Sequence, residues 1–192
     1  MSTTTTSRET IRNGVETRRL LGKLGAVEAE PAMATVQLRA KNRWIDGAHS
    51  LTTIRDVYAP NQEGTSRHEE LVLDSGLPTV LLGTDTRPTP AEYVLHTLAA
   101  CLTTSVVYVA AARGVGLSEV ETTLEGDMDA QGSLELSEES RTGFEQIHVS
   151  FRVRGDAAEE TLREIVARAL QLSAAFDMVT NGLPVTVELE AA

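Results

Sequence analysis

The stretch from Thr89 to Gly114 limits what this chain can fold into more than any other. Thr89-Pro90-Ala91-Glu92 reads as a helix start, with threonine accepting from a free amide, proline at the first helical position and glutamate reaching back three residues. From Val94 to Ala112 the residues are mostly Leu, Ala and Val on every side, and Gly114 is a fitting stop. A helix of that composition is predicted to be buried nearly all round, so it belongs at the centre of the fold. A membrane span needs about 20 predominantly apolar residues. His96, Thr97, Thr103, Thr104 and Ser105 interrupt this run, which therefore reads as the core helix of a soluble protein.

The flanking chain supplies the elements that would cover such a helix. Met1–Ser7 is polar, with nothing to bury, and reads as a disordered leader. Ile11, Val15, Leu20, Leu21 and Leu24 approximate helical spacing between Arg8 and Leu24, packing on the outside of the domain or on a partner subunit. Val36, Leu38 and Ala40 alternate with polar residues, and Asp46-Gly47 turns the chain toward Leu51–Tyr58, which predicts a hairpin. Ala59–Ser66 is a loop, followed by short strands at Leu71–Leu73 and Val80–Leu82. After the central helix, Val120–Met128 reads as a strand with a bulge at Gly126, and Gln131–Thr142 as an acidic loop. Ile147, Val149, Phe151 and Val153 give the clearest strand alternation in the chain. Asp156 and Glu159 form a second capping-box pattern before an amphipathic helix carrying Leu162, Ile165, Val166, Ala169 and Leu170. Asn181-Gly182 then leads to a last strand, Val185–Leu189. Helix, strands, buried helix, two strands, helix and strand in that order argue for an α+β domain, with 1–33 as leader and helical extension and 34–192 as the domain proper.

Composition closes off several functions. With 17 basic against 28 acidic residues the net charge is −11, which opposes nucleic-acid and anionic-membrane binding. A single cysteine excludes an intrachain disulfide, and with no apolar signal segment at the start a reducing cytoplasm is expected. His49, His68, His96 and His148 share no ligand spacing, so neither metal nor cofactor is expected.

That cysteine, Cys101, lies about three turns inside the central helix, beyond the reach of its N-terminal field. A cysteine in an apolar helix is either a small inert core residue or, as thiolate, a nucleophile that at this depth needs a cation. Thr97, Thr104 and Ser105 stand at i−4, i+3 and i+4 from it. Their hydroxyls either bond a thiolate or bound ligand, or bond the preceding turn's carbonyls.

The run Pro88–Cys101 with Pro90, the interior Leu98-Ala99-Ala100-Cys101, the break Ala112-Arg113-Gly114 and the strand at Glu125-Gly126-Asp127 resemble the OsmC/Ohr family. The resemblance extends from Trp44 to Leu189, with Ser173–Pro184 looking like a second signature. It implies antiparallel sheets wrapped around long central helices, an intertwined homodimer with active sites at the subunit interface, and reduction of organic hydroperoxides by a reactive cysteine, a resolving cysteine, an arginine and a glutamate. Cys101 stands at the reactive position, and Ser173, near Phe176, at the resolving one. The family's glutamate position holds Ala91. Glu92 is one place on, about 180° around the helix from Cys101, where it caps the helix or serves a neighbouring subunit's site. Arg67 is the first candidate for the arginine and Arg55 the second.

Two functions follow from that resemblance. In one, Cys101 is the nucleophile of a single-cysteine hydroperoxide reductase, assisted by Arg67 and Glu92 and restored by an external thiol. In the other, the protein is a non-catalytic OsmC-like binder or redox sensor holding a small apolar or oxidised ligand. Thr97, Thr104, Ser105, Ser173 and Phe176 would line the site in either case.

Overall fold

The computed structural model describes residues 11–55, 57–58 and 69–190. The expected leader Met1–Ser7, the loop Ala59–Ser66 and the candidate Arg67 lie outside the described residues. In chain order the first elements are β1 (Ile11–Arg12), β2 (Val15–Glu16), α1 (Thr17–Ala29), a 3-10 turn at Pro31–Ala34, β3 (Gln37–Leu38), β4 (Lys41–Asp46), β5 (His49–Ile54), β6 (Val57–Tyr58) and β7 (Leu71–Ser75). A second 3-10 turn, Thr79–Leu81, precedes α2 (Pro90–Ala112), β8 (Leu117–Met128), α3 (Ala130–Ser133), β9 (Phe144–Gly155), α4 (Glu159–Leu172) and α5 (Ala174–Thr180). They cluster into two compact units, Glu16–Val94 and Ile11–Val15 with the chain from Leu95 onward.

The first unit is built on an antiparallel sheet in the order β4-β5-β7, with β3 pairing β6 beside it. The expected hairpin is present, and its ladder reaches closer to the turn than alternation suggested, from Lys41↔Thr53 to Asp46↔His49. Its outer end continues as Gln37↔Tyr58 and Leu38↔Val57. β4 was missed because all of its residues are exposed, so no buried face marks it. Val80–Leu82 is no strand. Thr79–Leu81 forms a 3-10 turn ended by Leu82 at φ 62°, since a three-residue apolar run carries no decisive period.

A charged clasp ties this unit's last loop to its sheet. Asp74 Oδ1 on β7 lies 2.6 Å from His49 Nε2 on β5 and 2.8 Å from Arg87 Nε on the loop before α2. The Arg87 contact is an ion pair, and the His49 contact becomes one when its imidazole is protonated. Burial acts to raise the Asp74 carboxyl, and the facing Arg87 and His49 outweigh it and hold the group below its ordinary value. The Tyr93 hydroxyl, in the first turn of α2, donates to the Asp74 carbonyl at 2.8 Å.

The helix start forms as expected. Thr89 N–H donates to Glu92 Oε2 at 2.7 Å, and Glu92 N–H to Thr89 Oγ1 at 3.1 Å. At the other end Gly114 takes φ 73°, and Val115 N–H bonds back to the Ala110 carbonyl at 2.9 Å. By length and composition α2 is the one described helix apolar enough to cross a membrane, yet its Leu98, Leu102, Val106 and Val109 pack as a protein core. The expectation of burial on every side is corrected here. Within one chain a stripe through His96, Thr97, Ala100, Thr104 and Tyr108 is exposed.

In the second unit, β8 and β9 form a long antiparallel pair, Leu117↔Gly155 through Met128↔Phe144. α2 and α4 bury Val106, Val109, Ala110, Ile165 and Ala169 in one cluster against which residues of this pair pack. Each Leu, Val or Ile so buried contributes about 1.5–3 kcal/mol. The bulge expected at Gly126 is absent, because Gly126 pairs in register with Ile147 and the ladder shifts between Asp127 and Met128. Glycine is required at 126 by close approach. A Cβ there would lie 2.5 Å from the Phe144 ring.

Three other expectations fail for local reasons. Of the helix expected over Arg8–Leu24, Arg8–Thr10 lie outside the described residues and Ile11–Glu16 instead form the β1–β2 hairpin, whose turn residues Asn13 and Gly14 have φ 53° and 76°, a geometry Asn-Gly suits well. The helix proper is α1, which buries none of its residues. Asp156 makes no capping box with Glu159. Its Oδ1 accepts from Gly116 N–H at 2.7 Å and Ala158 is the N-cap of α4. The last strand, Val185–Leu189, has no strand partner among the described residues, and Val185, Val187 and Leu189 are 77%, 86% and 91% exposed.

Candidate active site

Cys101 lies roughly 16 Å along α2 from Pro90. Half-buried, it packs against an apolar cluster formed by Leu98, Leu102 and Ala175 with Leu170 and Phe176. α4 ends at Leu172, and Ser173 turns extended (φ −81°, ψ 112°) to become the N-cap of α5. That break brings a hydroxyl from 72 residues away to the sulfur, Ser173 Oγ donating to Cys101 Sγ at 3.1 Å. The same oxygen accepts from Phe176 N–H at 3.2 Å. Ser173 is 2% exposed, the one fully buried polar side chain among the described residues.

Of the residues singled out from sequence, the structure brings Cys101, Ser173 and Phe176 together. Thr97 and Thr104 lie on the exposed stripe of α2, and Ser105 is half-buried. The α2 hydroxyl that reaches the sheet is one the helical spacing around Cys101 passed over, Thr103, whose Oγ1 is 2.8 Å from Thr122 Oγ1 on β8. Glu92 remains in the helix cap, where Thr89's backbone N–H and then its side chain hold the carboxyl below its ordinary value. Arg55 belongs to the first unit and is exposed. In the unit of Cys101, Arg12, Arg113, Arg152, Arg154 and Arg163 are committed to carboxylates.

An apolar groove of about 400 Å³ runs between β9 and α4. Phe151, Val153, Leu162, Val166 and Leu170 line it, with Glu159 and Arg163 at the rim. Phe151 and Leu170 also pack against the buried cluster that Cys101 packs against, Leu98, Leu102 and Ala175.

Residues 83–188, more than half of the chain, match the family described as OsmC-like protein. The chain belongs to the OsmC-like family. Solved structures carry the same α+β fold with antiparallel sheets. An OsmC-like protein from Mycoplasma pneumoniae superposes with a TM-score of 0.57 at 11% identity, over 76% of this chain and 89% of that one. An organic hydroperoxide resistance protein from Legionella pneumophila gives 0.51 at 19% identity, over 76% and 90%. An OsmC-like protein of unknown function from Vibrio cholerae gives 0.53 at 10% identity, over 73% and 92%. A comparison with curated protein sequences finds no match. At such identities the OsmC-like fold is shared while each side chain of the site has to be argued from this chain.

Proposed function

We propose that this OsmC-like protein reduces organic hydroperoxides through Cys101 and an external thiol. The observation that carries the reading is the buried Ser173 hydroxyl donating to a half-buried sulfur that packs against apolar side chains. A sulfur so placed has a donor for its anionic form, which is the form that attacks. The groove that shares Phe151 and Leu170 with its surroundings suits the apolar part of an organic hydroperoxide. In the reaction the thiolate attacks the outer peroxide oxygen, the O–O bond breaks, and the alkoxide leaves and takes a proton from water. Sulfur, oxidised by two electrons, carries the oxygen as sulfenic acid. With no second cysteine in the chain, one external thiol displaces water to give a mixed disulfide, and a second releases Cys101.

The assembly belongs to the same reading. Residues 34–192 act as the OsmC-like domain of an intertwined homodimer, with 1–33 as an extension and Arg67 as the arginine serving the thiolate. The exposed stripe of α2 and the unpartnered Val185–Leu189 segment support a second copy as their cover. A chain with one cysteine and eleven excess negative charges suits the cytoplasm, with neither nucleic acid nor membrane as partner.

A second reading, a ligand-binding protein without turnover, draws on Ala91 at the family's glutamate position and on Glu92's commitment to the helix cap. Mass spectrometry after cumene hydroperoxide and a sulfenic-acid trap separates the two. The peroxidase reading expects one adduct in the wild type and none in Cys101→Ser, and no Cys101-dependent adduct leaves the binding reading alone.

A further inference from the structure

The geometry points to Ser173 as the positioning residue of Cys101, an inference that rests on the hydroperoxide-reducing reading and says how the thiol is made ready and its product kept. A serine hydroxyl has one proton and two lone pairs. At Ser173 the Phe176 N–H occupies the oxygen as acceptor at 3.2 Å, while the hydroxyl proton is directed to Cys101 Sγ at 3.1 Å. Capping α5 requires only an acceptor at this position, and Asp, Asn or Gly would meet or tolerate that need. Donation to sulfur is a separate property of the hydroxyl, made from a side chain that is only 2% exposed.

Hydrogen bonds to a charged partner are roughly twice as strong as neutral ones, so the Ser173 hydroxyl holds an attacking thiolate in place more firmly than it holds the resting sulfur. After oxidation the same proton faces a sulfenate, and Ser173 is neither consumed nor reduced. An oxygen at this place cannot close a bond to the oxidised sulfur. The sulfenic acid therefore persists until an external thiol attacks it, and Ser173 also fixes which way the Cys101 side chain presents its sulfur.

The test compares wild type, Ser173→Gly and Ser173→Thr as full-length chains. Glycine removes the hydroxyl but is tolerated as a helix cap, and threonine keeps donor and cap alike. Iodoacetamide alkylation of Cys101 at pH 7 is expected to slow roughly tenfold in Ser173→Gly and to recover in Ser173→Thr, as loss of a charge-assisted hydrogen bond implies. A purely packing role predicts the opposite sign, because glycine opens access to the sulfur. An alkylation rate in Ser173→Gly equal to or above wild type overturns the proposal. Trapping with dimedone after one equivalent of cumene hydroperoxide is read in parallel on the wild type. If alkylation responds to the hydroxyl while the wild type traps no adduct, the peroxidase reading fails and Ser173's hold on the thiol stands.

Discussion

At the scale of single residues, the contrast between Ser173 and Glu92 shows what one hydroxyl and one carboxylate are committed to. Ser173 meets the sulfur directly, whereas Glu92 is spent on the first turn of α2, on the far side of the helix from Cys101. Ser173→Cys places a second sulfur where the Oγ lies 3.1 Å from Sγ. One equivalent of hydroperoxide is then expected to close an intrachain disulfide, read as a loss of both free thiols and of two hydrogens in mass. Persistence of both thiols counts against the geometry described here. Glu92 carries a pH prediction. Its carboxyl is held low by Thr89, so its contribution to stability is fully present above the unfolded value near 4.3 and is lost as pH falls through the lower folded value. Glu92→Gln should therefore flatten the acid limb of a stability curve below about pH 4.5, while a variant with the wild-type slope would remove the carboxylate from the cap.

At the scale of elements, α2 depends on caps at its ends and packing in its middle, and the two differ in size. Thr89→Ala removes one acceptor from the helix start and is expected to cost about 1 kcal/mol in urea unfolding. Leu102→Ala, at a position 0% exposed, leaves a cavity and should cost about 2–5 kcal/mol in the same measurement. A reversal of that order would mean that α2 is held by its ends more than by the cluster it buries. Elements with a wet and a dry face were legible from period alone, as α4 and β9 show. β4 was not, because it is exposed throughout, and β1–β2 was overlooked although Asn13-Gly14 between Ile11 and Val15 is a hairpin signal. In that hairpin Asn13 Nδ2 donates to the Val115 carbonyl at 2.9 Å and its Oδ1 accepts from Leu117 N–H at 2.8 Å. No local pattern announces a contact of that separation.

At the scale of the whole molecule, apolar surface remains that a single chain does not cover. Val185, Val187 and Leu189 alternate as a half-buried strand does, yet each is more than three-quarters exposed. If the proposed homodimer uses this segment, Val187→Asp shifts a wild-type dimer to monomer in light scattering behind gel filtration; an unshifted dimer would place the interface elsewhere, and a monomeric wild type would overturn the assembly. The sequence by itself determined the central helix, its cap and stop, the amphipathic α4 and the family, because these rest on spacing within a few turns or on a run of adjacent residues. Tertiary structure decided which polar group meets the thiol, since Thr97, Thr104 and Ser105 were the neighbours by spacing and Ser173 is the one whose hydroxyl donates to the sulfur. It decided too that Asp156 serves Gly116 instead of its own helix, because a carboxylate takes whichever donor the fold brings nearest. Local periodicity fixes which way a side chain faces, and only the packed chain fixes what it meets there.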